Sequence, residues 1–106
     1  NITHQANNLT LIPVGGGSAF DQRDRDNLDV HFTKFVNWCR ENSVSPWIGE
    51  AGCWETVPGR VGWFRSVADI ASSLNVPVCW WRDYDRFGIH PKQKDRAEVL
   101  KVMLGK

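Results

Sequence analysis

A short apolar run that stops at a carboxylate constrains this chain most. It is Pro46-Trp47-Ile48-Gly49-Glu50-Ala51-Gly52-Cys53. The apolar part is too short for a helix, and glycines on both sides of Glu50 favour leaving a strand there. On either side of the run the pattern is helical. Upstream, Leu28, Phe32, Phe35, Val36 and Cys39 recur at helical spacing, which predicts a helix over 26–42 with Asp24 or Asp26 as its cap. His31 lies on that helix off the apolar face, as a solvated residue. Downstream, Trp63, Val67, Ile70, Ala71 and Leu74 predict a helix over 60–74. Asn75 is suited to leave it and Pro77 prevents its continuation. Val76 to Trp81 is then a continuous apolar run of strand length, as in strands buried on both faces. A last helix is predicted over 94–104, with Ala97, Leu100, Met103 and Leu104 inward and Gly105 as terminator. Strands near 46–50 and 76–81 alternating with helices define an α/β chain with parallel strands.

Two strands do not make a stable sheet. Residues 1–25 read as an irregular loop or a short strand over Leu9–Val14, and Pro13 argues against a central place for it. Gly15-Gly16-Gly17 is read as a loop and not a phosphate cradle, because a polar stretch follows and no Gly-Lys-Ser/Thr element is present. Either the early segment adds a strand, or a second copy or another piece of protein completes the sheet.

The 106 residues suit one small domain. A net charge of +1 gives no electrostatic case for nucleic acid or an anionic membrane as partner. No apolar run approaches a membrane span, and no signal peptide is visible, as is also true of a mature secreted protein. Cys39, Cys53 and Cys79 are far apart and lack the close doublets of a zinc site, so they read as reduced, mostly buried thiols. No metal or cofactor is implied. Asn1-Ile2-Thr3 and Asn8-Leu9-Thr10 fit the N-glycosylation pattern, which often arises by chance. Six tryptophans are a heavy load for so short a chain; some must be core, and flat apolar faces also suit sugar rings.

In parallel α/β folds, reactive groups gather at the carboxyl ends of strands. Here those ends give Glu50 and the pair Trp80-Trp81. On the residues alone, Glu50 is either a carboxylate that attacks an anomeric carbon or a solvated residue ending a strand.

The order of motifs resembles the C-terminal part of a glycoside hydrolase family 5 enzyme of the cellulase (endo-β-1,4-glucanase) type. Ile48-Gly49-Glu50-Ala51-Gly52 matches the Gly-Glu-Phe-Gly-like end of the family's seventh barrel strand, with alanine in place of the aromatic residue. Arg60 and Trp63 match an arginine and a tryptophan that start the next helix. Trp81, followed six residues later by Phe87-Gly88-Ile89, matches the tryptophan ending the eighth strand. Trp38 lies where the family often ends a helix before the Gly-Glu strand, and Thr3-His4-Gln5-Ala6 is similar to the segment after the sixth strand. The resemblance is most secure over Asn27–Leu104.

The resemblance implies a single partial (β/α)8 barrel domain over 1–106, made of C-terminal βα units. It implies Glu50 as nucleophile of a retaining hydrolysis, Trp81 as the platform under the sugar, and Trp54 and Trp80 as further substrate-binding residues. It also implies a β-glucan or oligosaccharide as partner, a secreted protein, and self-association or a complementary barrel fragment. The departures matter equally. The family's Asn-Glu-Pro acid/base and its His-x-Tyr segment do not occur here. Glu41 and Glu98 fall on predicted helices, and Glu55, in the loop after Glu50, is the one candidate for a substitute acid. The chain is therefore expected to be catalytically incomplete alone. The alternatives are a non-catalytic saccharide-binding module and a purely structural half-barrel.

Overall fold

The structure, a computed structural model, describes residues 2–5, 8–11, 20–81 and 91–105. Its elements run β1 (Ile2–Gln5), β2 (Asn8–Leu11), α1 (Gln22–Glu41), β3 (Trp47–Ala51), α2 (Arg60–Ser73), β4 (Val78–Trp80) and α3 (Arg96–Met103). The strands form one sheet in the order β1-β2-β3-β4. β1 and β2 are antiparallel, whereas β2, β3 and β4 run parallel. The α/β reading holds, and the early segment does add to the sheet, which keeps an edge at β4. It supplies two strands, where one was expected, and β2 sits inside the sheet. Pro13 and the triple glycine lie outside the described residues, as does Phe87-Gly88-Ile89.

The helices layer onto one face of the sheet. Leu28, Phe32, Phe35, Val36 and Cys39 of α1 are all buried, as their spacing predicts. They share one core with Leu9, Ile48 and Ala51 of the sheet and with Trp63, Phe64, Val67, Ile70 and Ala71 of α2. α1 begins at Gln22, four residues before the predicted start at Asp26. Asp21 is its cap: the Asp21 carboxylate accepts from the Asp24 N–H at 3.0 Å, and the Asp24 carboxylate accepts from the Asp21 N–H at 3.1 Å. This reciprocal capping box uses aspartate at the third position, a shorter reach than the usual Glu or Gln.

All three helices leave through a residue of positive φ: Ser43 and Asn75 at 56° and Gly105 at 74°. At α1 the Val44 N–H returns to the Cys39 carbonyl and the Ser43 N–H to that of Arg40, a Schellman closure. α2 closes in the same way, Val76 to Ala71 and Asn75 to Ser72. α3 corrects the sequence reading. Val99 and Val102 are its buried residues, while Ala97 is exposed and Leu104 is 68% exposed. The apolar residues of this short helix allow two phases, and packing against α2 selects the valines.

Candidate active site

β3 carries one more residue than either neighbour. On the β2 side, Leu9 pairs with Ile48 and the next residue, Thr10, pairs with Glu50. On the β4 side, Ile48 pairs with Val78 and Ala51 with Trp80, so three steps on β3 match two on β4. The extra residue is Gly49, and the irregularity is a β-bulge. Its consequence is a change of phase. Ile48 faces the helices and is wholly buried, and strict alternation would send Glu50 to the same side. With Gly49 inserted, Ala51 returns to the core and Glu50 falls on the opposite, open face, half-buried.

A central strand gives its N–H groups to carbonyls of its neighbours, and a bulge leaves one without that partner. The Gly49 N–H donates instead to the side-chain Oδ1 of Asn8 on β2, at 2.8 Å. Glycine is required there, because a Cβ at position 49 would run into the Asn8 amide. The Asn8-Leu9-Thr10 glycosylation pattern thus sits in a sheet strand, its asparagine half-buried and engaged with Gly49, unlike the exposed loop such a site needs.

The loop that follows β3 is clamped from below. Arg60, the first residue of α2, is 3% exposed. Its Nε donates to the Cys53 carbonyl at 2.9 Å, and its Nη1 reaches both carboxylate oxygens of Asp95 at 2.8 and 2.9 Å. The guanidinium lies 5.0 Å from the Phe64 ring centroid. One side chain therefore ties the end of β3, the start of α2 and the start of α3. Burial pushes the Cys53 thiol up to about 12; the Arg60 charge pulls the other way and Asp95 adds a little upward. Burial also raises the Cys39 thiol. All three cysteines are free, and Cys79 is the exposed one.

The tryptophans separate into different places. Trp81 follows β4, and its N–H donates to the Ala51 carbonyl at 2.7 Å, so it stands beside the end of β3 and is half-buried. Trp80 points the other way. Its ring packs 5.5 Å from that of Phe64, against the helix-side core and away from the face that carries Glu50. Trp54 is half-buried in the loop, and its carbonyl accepts from the Val57 N–H at 3.1 Å. Glu55, next to it, is exposed, whereas Glu41 and Glu98 lie exposed on α1 and α3. The backbone of Trp81 is thus tied to Ala51, the residue after Glu50, whereas the Trp80 ring packs into the helix-side core. Among the described residues, no three His, Cys, Asp or Glu side chains are gathered as metal ligands. Asn8 and Arg60 are the positions that sequence reasoning passed over as parts of this site. In the sequence Asn8 stands out only as part of a glycosylation pattern, and Arg60 only as a residue starting a helix.

Comparison with known proteins matches this geometry at the level of fold. Solved structures like it include endoglucanases. One described as "endoglucanase" superposes with a TM-score of 0.78 at 19% identity, over 93% of this chain and 39% of that one. Cel5A of Thermotoga maritima, in complex with mannotriose, gives 0.74 at 18% identity, over 82% of this chain and 30% of that one. A GH5-4 broad-specificity endoglucanase from Ruminococcus champanellensis, with bound cellotriose, gives 0.65 at 22% identity, over 84% and 29%. The chain therefore spans about a third of the length of these enzymes. No family model and no curated protein matches the sequence. No helix of the described residues is long and apolar enough to cross a membrane.

Proposed function

We propose that these residues are the C-terminal βα units of a retaining endo-β-1,4-glucanase barrel of glycoside hydrolase family 5, a single partial-barrel domain in which Glu50 is the nucleophile. The observation that carries this is the Gly49 bulge, which sets a carboxylate at the end of a parallel strand on the face opposite the helix layer, one residue before the Ala51 carbonyl that accepts from the Trp81 N–H. The open face supports the barrel reading. Trp47 is 40% exposed and Cys79 is exposed on the sheet side that a closed barrel turns inward. β1 and β4 are edge strands, and a complementary barrel portion or a second copy is the partner that would cover β4. Cellulose-like β-glucans are the substrate class of this reading, supported by neighbours that are endoglucanases, one with bound cellotriose, and a secreted protein is part of the same proposal.

In this reading the Glu50 carboxylate attacks the anomeric carbon of a sugar resting on Trp81, with Trp54 as a further wall. A covalent glycosyl ester forms as the leaving oxygen departs, and water then opens the ester. Natural glucans leave as poor alkoxides and need a general acid, worth about 10²–10⁴-fold. The Asn-Glu-Pro acid is not among these 106 residues, so the chain by itself hydrolyses glucan little or not at all. An aryl glycoside whose leaving group departs as a stable phenolate needs no such acid. Incubation with 2,4-dinitrophenyl β-cellobioside should therefore esterify Glu50 and stop there, since the base that activates water is missing as well. A saccharide-binding module would instead bind cello-oligosaccharides equally well with Glu50→Gln and form no ester.

A further inference from the structure

We propose that Asn8 is a positioning residue for Glu50: its side-chain carbonyl holds the Gly49 bulge open, and the bulge sets the face on which the carboxylate stands. The proposal rests on the reading of Glu50 as nucleophile and adds to it a residue 41 positions away in sequence from the bulge glycine. Three observations agree. The register of β3 slips by one residue against β2 between Ile48 and Glu50, and against β4 within the interval from Ile48 to Ala51. The amide that the slip strands is the one Asn8 accepts, at 2.8 Å. The absent Cβ of Gly49 is the space that the Asn8 amide fills.

The physical logic is an all-or-none choice of phase. A strand whose extra residue is unsupported loses a hydrogen bond at a part-buried position, and the regular register becomes the competitor. Regular pairing would carry Glu50 toward Phe32, Phe35 and Phe64, where an unpaired carboxylate cannot be accommodated. Without Asn8 the end of β3 has no single well-satisfied arrangement, and the carboxylate loses its fixed aim. Asn8 touches no substrate in this account; it acts only through the Gly49 backbone.

The test begins with the unaltered chain. A scalar coupling across the hydrogen bond, between the Gly49 amide nitrogen and the Asn8 side-chain carbonyl carbon, should be detectable by NMR; its absence overturns the proposal. In Asn8→Ala, Gly49 amide exchange should accelerate about tenfold or more while Ile48 and Val78 stay near their original rates. Asn8→Asp keeps an acceptor and should restore the protection. Unchanged exchange at Gly49, or equal acceleration at all three amides, contradicts the proposal. Esterification of Glu50 by dinitrophenyl cellobioside should slow at least about tenfold in Asn8→Ala. An ester formed at the original rate overturns the role of Asn8 alone. If the unaltered chain forms no ester, the nucleophile reading fails, and the link from Asn8 to chemistry fails with it.

Discussion

Arg60, buried, and Asp95, half-buried, form an ion pair 2.8 Å apart between the first residue of α2 and the N-cap of α3. A cation at a helix N-terminus opposes the helix dipole, and α2 has no side-chain cap because Gly59 occupies that position. Arg60 is kept there by what it joins: the carboxylate of Asp95, the carbonyl of Cys53 and the face of Phe64. The loop bearing Trp54 thus hangs from a fixed point seven residues from Arg60 in sequence.

Replacing Arg60 with methionine keeps much of the stem and removes the bonds. It should cost about 2–4 kcal/mol in urea unfolding, because the Cys53 carbonyl and Asp95 lose their partner together. Asp95→Asn leaves an oxygen that still accepts, and should cost about 1 kcal/mol. Arg60→Lys should recover only part of the loss, since an ammonium cannot serve the carbonyl and the carboxylate in the same fork.

Thiol chemistry should divide two to one. Cys79 is exposed and should react with a disulfide reagent in the native chain, whereas Cys39 and Cys53 should stay silent until unfolding. The raised thiols also set a pH dependence. The Cys53 thiol titrates from 9.0 in the unfolded chain to about 12 in the native one. In between, unfolding releases a proton that the native state retains, so stability is full below 9.0 and falls as pH rises toward 12. The slope from one thiol is at most about 1.4 kcal/mol per pH unit, and Cys39 acts in the same direction. Cys53→Ala should make the loss of stability above 9.0 shallower, as read from urea midpoints across that range.

Ser43 occupies the left-handed region at φ 56°. Side chains other than glycine and asparagine are disfavoured there by about 1–2 kcal/mol. Ser43→Gly should therefore raise stability, by about 0.5–1 kcal/mol once the extra freedom of glycine in the unfolded chain is subtracted. The expected readout is a higher melting temperature with an unchanged far-ultraviolet spectrum.

Gly49→Ala should do the reverse. The new methyl group competes with the Asn8 amide for the same space, and either the hydrogen bond or the bulge must yield. A loss of about 1–3 kcal/mol is expected. In Asn8→Ala the space is open, so adding Gly49→Ala to it should cost less than in the unaltered chain, a coupling that a double-mutant cycle measures.

Much of the architecture was legible because it follows from periodicity. The buried face of α1 and the parallel β3-α2-β4 unit both rest on apolar spacing that few other folds satisfy. β1 was not legible, since Ile2-Thr3-His4-Gln5 has no apolar alternation and is a strand through its pairing with β2. The start of α1 was missed because its first turn, Gln22 to Arg25, is polar, and its signal lies in Asp21 and Asp24 instead of in hydrophobicity. The phase of α3 was missed because it is decided by contact with α2. At the site, Glu50 and Trp81 were visible as strand ends. The bulge was not, because it is a relation among three strands, and the Asn8 hydrogen bond that supports it spans 41 positions. Trp80 and Trp81 are adjacent and chemically equal; the spacing to Phe87-Gly88-Ile89 favours Trp81 by resemblance, and the packing of Trp80 on Phe64 is what only the structure adds.

In the proposed function Glu50 is a nucleophile, and the family's Asn-Glu-Pro acid is not among these residues. Intact-mass spectrometry after incubation with 2,4-dinitrophenyl β-cellobioside tests it most directly. The account predicts a single cellobiosyl adduct that maps to the peptide containing Glu50, is lost in Glu50→Gln and is weakened in Trp81→Ala. An unmodified chain, or an adduct that persists in Glu50→Gln, would contradict it.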